Sequence, residues 1–535
     1  MSRPLLAAIT GIVAAATGIA VAELSAAATR PPAAPLVAVG GAVIDATPAA
    51  VKEFAVRELG TADKPVLLAG IAVVLAFVAA QIGVAAARWR AAAPAGALLL
   101  GAIGAAAALS RPASIPADAL PSLLGAAIAG AILWWLNSPA RPSDRPARPS
   151  DRPARPNDHP ARSSDHPARP RKEAETGGAA GPGVPERGRR RILQLAALAA
   201  SAAAAQAAGM TLTSRRERTA SRSREAIRLP AATDPAQPLP RGAAADFTTA
   251  NDAFYRVDTA LTVPRVDPDR WRLRIHGMVD REIELSLDDL LRRPLTERDI
   301  TLNCVSNEVG GPYIGTARWL GIPLATVLRE AGIRAGADQI VARSVEGMTI
   351  GTPLVTALDG RDTLLAVGMN GEPLPHEHGF PVRMITPGLY GYAGACKWLT
   401  AIELTTFDRF DAYWVERGWS AQGTVKTASR IDRPKPFARV AAGPVTVAGV
   451  AWAQRRGIAA VEISVDGGPW NAAELLPTAS VDTWVQWRYS WRASPGPHSL
   501  AVRATDGDGV VQPAERVTPY PDGATGRHTV TVTAG

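Results

Sequence analysis

Four apolar stretches, 4–28, 64–87, 91–109 and 120–136, open the chain. Each is close to the ~20 residues that a helix needs to cross a bilayer. A fifth, ILQLAALAASAAAAQAAGM at 192–210, is alanine-rich and more weakly apolar. Residues 34–50, APLVAVGGAVIDATPAA, carry Asp45 and have a proline toward each end. They fall short of a span and read as an extracytoplasmic or re-entrant loop. From about 245 to 430 strand-like runs (RWRLRIHGMV, QIVARS, FPVRMIT) mix with helix-like ones (LSLDDLLRR, LATVLREAG). After about 435 the pattern becomes short alternating strands, among them VTVAGVAWA, AAVEISVDGG, TWVQWRYSWRA, HSLAVRATDGDG and RHTVTVTA. Turn signals such as Asp466-Gly467 and Asp506-Gly507 separate them, which predicts a small β-sandwich.

Charge orients the helices. The formal net charge is +9, but the arginines lie in a linker and beside apolar segments, and no basic–aromatic repeat points to nucleic acid. RWR at 88–90 and the Arg/Pro-rich stretch 137–190 should be cytoplasmic by the positive-inside rule. Five spans with the N-terminus inside satisfy both and place everything after 210 outside the cytoplasm. The basic stretch TSRRERTASRSR at 213–224 runs against that rule. GRRRILQ at 188–194 resembles a twin-arginine export signal, a route that carries folded, cofactor-loaded proteins. The linker repeats a Pro-Ala-Arg-Pro unit and cannot build a core, so it should be extended or disordered. Its His159 and His166 follow from the repeat and carry no metal site. The expected organisation is thus a four-helix transmembrane region (1–136), a disordered cytoplasmic linker (137–190), a fifth transmembrane helix with the export-type signal (191–210), an extracytoplasmic linker (211–244), a catalytic domain (245–430) and a β-sandwich (431–535).

The chemistry centres on TLNCVSNEVGG at 301–311. Cys304 is one of two cysteines in 535 residues. A structural cysteine usually behaves as a small hydrophobe, yet this one stands among Asn303, Ser306, Asn307 and Glu308, before two glycines. TLNCVSNEVGGPYIGTARWLGIPL, MNGEPLPHEHGFPVRMITPG and GACKWLTAIEL, with FYRVDT at 254–259, together resemble the sulfite-oxidase family of molybdenum enzymes. The resemblance covers roughly 245–535, its last part resembling that family's Ig-like dimerisation domain. It implies an α+β sulfite-oxidase-like molybdopterin domain and a C-terminal Ig-like β-sandwich, which with the apolar segments gives a multi-domain chain with an α-helical transmembrane N-terminal region.

The resemblance implies that Cys304 ligates molybdenum carried by one molybdopterin. A soft thiolate suits such a centre and must be deprotonated to bind it. A disulfide between Cys304 and Cys396 is the other reading in an oxidising compartment. By resemblance the cofactor's phosphate and pterin rings are held by Tyr255, Arg256, Ser344, His378, Arg383, Ala395, Cys396 and Lys397, an Arg fork or Lys ammonium being apt for phosphate. Cys304 and Arg256 are the expected catalytic residues. His376 reads as a loop histidine.

Departures from the family pattern bear on substrate. Gly418-Trp419 stand where sulfite oxidases carry an Asp-Tyr pair, and Glu308-Val309 where animal enzymes carry two arginines. Arg417, Arg455 or Arg456 are candidates to compensate. Two cysteines cannot hold an iron–sulfur cluster, and no histidine lies in an apolar stretch to hold a membrane haem. A separate haem or quinone protein should therefore exchange electrons with the site. The readings are oxidation of sulfite or a related small substrate, the same site reducing an S-oxide or N-oxide such as methionine sulfoxide, or a non-catalytic membrane-anchored interaction protein. A homodimer through the C-terminal domain is a further expectation.

Overall fold

The computed structural model describes residues 2–48, 51, 59, 62–138, 186–239 and 247–535. Nearly all of the 137–190 linker, with His159 and His166, lies outside them. Among the described residues five helices are long and apolar enough to cross a membrane: Arg3–Ala28, Asp63–Arg88, Ala92–Leu109, Pro116–Leu136 and Arg190–Ala226. The chain forms two compact units.

The first unit comprises the N-terminus to Pro35, Ala69–Ala106 and Ala119–Met210. Small residues let the backbones of these helices approach closely. Gly18 and Gly125 face each other so closely that a side chain on either would strike the other's carbonyl oxygen. Ala14, Ala86, Ala93 and Leu133 form a small core in the same unit.

The second unit comprises Leu36–Leu68, Ala107–Asp118 and Thr211–Gly535. Within the 34–50 stretch, expected as a non-spanning loop, Pro35–Ala46 is a helix of 12 residues, shorter than a span. Its apolar composition outweighs Asp45 because that carboxylate has partners, Arg111 Nη1 at 3.3 Å and the Tyr413 hydroxyl. The fifth long helix does not stop at 210. It runs from Glu186 to Ala226, and Arg224 near its end donates to the Leu374 carbonyl and pairs with Glu372 at 2.9 Å. The expected 211–244 linker is therefore helical in its first half.

The stretch 273–405 contains two five-stranded sheets. One is mixed and runs Ile283–Leu285, Leu273–Gly277, Leu399–Thr405, Gln339–Ser344, Thr349–Pro353, with Leu273–Gly277 parallel to Leu399–Thr405. The other is antiparallel: Thr296–Asn303, Ile314–Pro323, Leu364–Met369 and Glu372–Pro373, with Arg383–Ile385 also paired to Leu364–Met369. Every residue of Leu364–Met369 is buried, so it reads as a continuous apolar run rather than an alternating one. Leu273, Ile275, Leu290, Val327, Leu328, Ile340, Leu365 and Ile402 form the main core. Ser286 and Asp289 close a capping box on the short helix Leu287–Leu291, satisfying amides that would otherwise lack partners.

The C-terminal region is β-rich. A four-stranded sheet (Ala428–Arg433, Gly443–Trp452, Val485–Ala493, Glu474–Leu475) and a five-stranded one (Arg439–Val440, His528–Ala534, Gly496–Asp506, Ile458–Val465, Trp470–Ala472) share one core. Val447, Trp487 and Trp491 from the first sheet meet Ile463, Leu500, Val502 and Val532 from the second. This region contacts the strand Thr296–Asn303 and the loop after it. Arg430 Nη1 donates to the Gly311 carbonyl at 2.7 Å, and Gln454 Nε2 to the Thr301 carbonyl at 3.2 Å.

Candidate active site

Cys304 is the first residue after the Thr296–Asn303 strand. Its amide donates to the Tyr313 carbonyl at 3.0 Å and its carbonyl accepts from Asn307 at 3.1 Å. Asn307 Oδ1 accepts from the Tyr313 amide at 2.8 Å, closing the turn from inside. Gly310 holds φ +82°, and a Cβ there would run into the His528 ring. The polar residues around the cysteine thus fold its loop. Burial pushes the Cys304 thiol above its usual range, with contacts to Ser306 working the other way. Cys304 and Cys396 are both free, so the disulfide reading fails.

Arg383 starts the short strand Arg383–Ile385. It is buried, its Nε has no partner, and Nη1 reaches only the His378 carbonyl at 3.4 Å. Its guanidinium carbon lies 5.4 Å from the centre of the Trp319 ring. Burial pulls it below the usual guanidinium range. A buried cation without a carboxylate is costly, so this arginine is disposed toward an anion.

Lys397 is brought alongside by the Gly391–Gly394 turn and the segment that follows it. Its Nζ lies 2.8 Å from Asp258 Oδ2, and 4.7 Å from the Trp398 ring centre. Burial lowers its pKa to about 8 against the opposing pull of Asp258. Asp258 is the hub of the cluster. Lys64 Nζ meets its Oδ1 at 2.8 Å, and Arg256 Nε its Oδ2 at 3.0 Å. Burial alone would raise the Asp258 pKa, but Lys397, Lys64 and Arg256 outweigh it and hold the carboxyl far below its ordinary range. Glu346 moves the other way, raised by burial and by the Asp258 charge.

One cavity of about 820 Å³ collects these groups, its wall formed by Tyr255, Cys304, Ser344, Glu346, Arg383, Ala395, Cys396 and Lys397, with Lys64 on the same wall. Tyr392, Tyr413, Trp414, Arg417 and Trp419 make an aromatic side to it. Trp414 and Trp419 meet edge to face at 6.3 Å, and the Arg417 guanidinium stacks 3.6 Å from the Tyr413 ring centre. The residues fit a phosphorylated pterin carrying a metal. A thiol, an unpaired buried guanidinium and an ammonium open onto one cavity of ligand size. Among the described residues no group of three or more His, Cys, Asp or Glu side chains could hold a metal by itself, so a metal here would need its other ligands from a cofactor.

Of the residues singled out in the sequence, Tyr255, Cys304, Ser344, Arg383, Ala395, Cys396 and Lys397 line the cavity. Tyr255 stacks on Phe254 at 5.2 Å, and burial raises its hydroxyl pKa. Ser344 Oγ accepts from the Met348 amide at 3.1 Å, tying the turn behind it. Cys396 packs in the main core, and burial, with Glu346 nearby, pushes its thiol to about 12. Two expected site residues stand elsewhere. Arg256 is about one-third exposed, paired with Asp258, and does not line the cavity. His378 is turned away, its Nε2 2.8 Å from the Asn251 carbonyl and its ring edge-on to Phe254. What it offers the site is its own carbonyl, the acceptor for Arg383. Sequence reasoning missed Asp258, Glu346 and Lys64. Asp258 lies within the FYRVDT segment and was within reach; nothing near Lys64 marks it.

Residues 260–414 match the profile of the oxidoreductase molybdopterin binding domain. Mitochondrial sulfite oxidase of Mus musculus is 34% identical over 285 residues, covering 45% of this chain and 51% of that protein. Sulfite oxidase of Gallus gallus is 31% identical over 316 residues, covering 50% of this chain and 68% of that protein. The chain thus spans about half the length of the mammalian relatives it matches. The solved structure of the sulfane dehydrogenase SoxCD from Paracoccus pantotrophus overlaps 50% of this chain and 77% of its own at 24% identity, with a TM-score of 0.45.

Proposed function

The chain belongs to the sulfite-oxidase family of molybdopterin oxidoreductases, and on that footing we propose that it is a membrane-anchored oxygen-atom-transfer enzyme oxidising sulfite or a related small sulfur anion. The observation that carries this reading is the meeting of Cys304, Arg383 and Lys397 on the wall of one cavity. When bound, the cofactor supplies a metal centre that exchanges one oxygen atom and two electrons. Cys304 Sγ would be the protein ligand to that metal, binding it as the thiolate. Arg383 and Lys397 would hold the phosphate through charge-assisted hydrogen bonds. Tyr255, Ser344, Ala395 and Cys396, on the cavity wall, would face the pterin. In the oxidising direction sulfite takes an oxygen from water, and two protons and two electrons leave, the electrons to a separate haem or quinone protein.

A second reading keeps the site and reverses it. The aromatic side of the cavity, with Trp414 and Trp419 edge to face and Glu308 on the wall, favours a neutral S-oxide over a dianion.

The anchor reading rests on the five long apolar helices. The positive-inside rule and GRRRILQ at 188–194 favour an extracytoplasmic catalytic domain exported folded by the fifth helix. The two C-terminal sheets sharing one core favour an Ig-like sandwich, a surface on which two copies of the chain would pair. Assay of the full-length protein decides the direction. Sulfite-dependent reduction of a one-electron dye supports the first reading. Turnover only with methionine sulfoxide and a reduced dye supports the second, and activity in neither overturns both.

A further inference from the structure

The first turn of the helix Asp63–Arg88 reaches the cofactor cavity, although it lies almost 200 residues before the matched domain. Lys64 is on the cavity wall. Its ammonium meets Asp258 Oδ1 at 2.8 Å and donates to the carbonyls of Asp258 and Ala260. Asp258 Oδ2 is occupied separately, by Lys397 at 2.8 Å and Arg256 at 3.0 Å. The side chain of Asp258 is 3% exposed and that of Lys64 19%. Water therefore contributes little to balancing this carboxylate, and the cations beside it must do so.

That arrangement divides the work between the two lysines. A phosphate entering the cavity needs the ammonium of Lys397, which is now committed to Asp258. The carboxylate also repels the incoming anion. A second lysine on the opposite carboxylate oxygen answers both problems: it satisfies Asp258 when Lys397 turns to the phosphate, and it cancels the charge that the phosphate would meet. Arg256 is a weaker substitute because its side chain is 35% exposed and its field is screened by water. Asp45, in the helix Pro35–Ala46, makes a separate contact at the cavity, accepting from the hydroxyl of Tyr413.

We propose that Lys64 is a positioning residue of the cofactor site, neutralising Asp258 so that Lys397 is released to bind the anionic phosphate of the pterin. The inference rests on the function proposed above, and it makes the first turn of the second long helix a part of the active site. The chain thus extends its cofactor site beyond the matched residues 260–414.

The test measures cofactor retained by the full-length protein, as molybdenum per chain and as pterin recovered by oxidation to its fluorescent form. Lys64→Met should retain roughly tenfold less than wild type, the scale of one hydrogen bond to a charged group. Lys64→Arg should retain it. The deciding variant is Lys64→Met combined with Asp258→Asn: with the carboxylate's charge removed, Lys64 has nothing left to neutralise and retention should return. Retention equal to wild type in Lys64→Met overturns the inference and leaves the proposed function standing. Depletion that Asp258→Asn does not relieve also overturns it, since Lys64 is then a strut for the Ala260 carbonyl. Should Lys64→Met fail to accumulate, the double variant decides alone, loaded in support and empty against. A wild type free of pterin and molybdenum overturns the proposed function itself, and this inference with it.

Discussion

The guanidinium of Arg383 lies 5.4 Å from the centre of the Trp319 ring, and no carboxylate pairs with it among the described residues. The contact orients the arginine without neutralising it. Replacing it should therefore separate stability from cofactor binding. Arg383→Met should make the cofactor-free protein more stable by about 1–3 kcal/mol, because a buried charge is exchanged for an apolar chain of similar length. The same variant should lose most of its pterin. Thermal midpoints of stripped protein and pterin content of the loaded protein check the two halves. A stripped variant less stable than wild type would mean that Arg383 has a folding role the geometry does not account for.

Gly310 gives a second prediction. Its φ of +82° and the His528 ring beside it leave no room for a side chain. Gly310→Ala should cost about 1–3 kcal/mol, combining left-handed strain with a steric clash. It should also displace the Cys304 turn, so activity should fall further than stability. Denaturant midpoints set beside turnover of the same preparation check this; a normal midpoint with normal turnover would show that the loop gives way freely.

The stability of the catalytic portion should depend on pH through two histidines. His376 and His378 are buried, and burial lowers both to about 4. Between about 6.5 and 4 the unfolded chain binds protons there that the folded chain does not. Stability should therefore be full above about 6.5 and fall as pH drops toward 4, by up to about 1.4 kcal/mol per pH unit for each histidine. Denaturation midpoints at pH 7, 6 and 5 measure the slope, and His378→Asn should flatten it. An unchanged slope in that variant would place the titration elsewhere.

Some of this was readable in the chain and some was not, for physical reasons. The Cys304 loop was readable because its polar neighbours serve the turn itself: Asn307 and the following glycines are needed within a few residues of the sulfur. QIVARS became the strand Gln339–Ser344, and LATVLREAG the helix Leu324–Ala331, because apolar spacing reports a buried face directly. The direction of a side chain within a turn has no such signal. His378 and Arg383 stand five residues apart, yet Gly379 at φ 115° turns the chain between them, and only Arg383 reaches the cavity. Arg256 was expected to face the cofactor, but Asp258, two residues on, draws its guanidinium away. Lys64 lies 194 residues from Asp258 in sequence, and a single lysine at the head of an apolar helix reads as an ordinary flanking charge. The length of 34–50 rules out a span but not a short helix, and Pro35–Ala46 forms one with its one carboxylate paired to Arg111.

Cys304→Ser tests the catalytic role more simply. The substitution keeps the size of the buried side chain, so the fold should survive. Turnover should drop at least ~10³-fold if the residue acts on the reacting centre as part of a unit. Near-normal turnover in a folded variant would remove Cys304 from the chemistry.

X-ray absorption at the molybdenum edge on the purified full-length protein, compared with Cys304→Ser, addresses the central claim most directly. The account predicts molybdenum bound in the wild type, with one sulfur fewer in its coordination shell in the variant. A wild type without molybdenum, or a sulfur shell unchanged by Cys304→Ser, would contradict it.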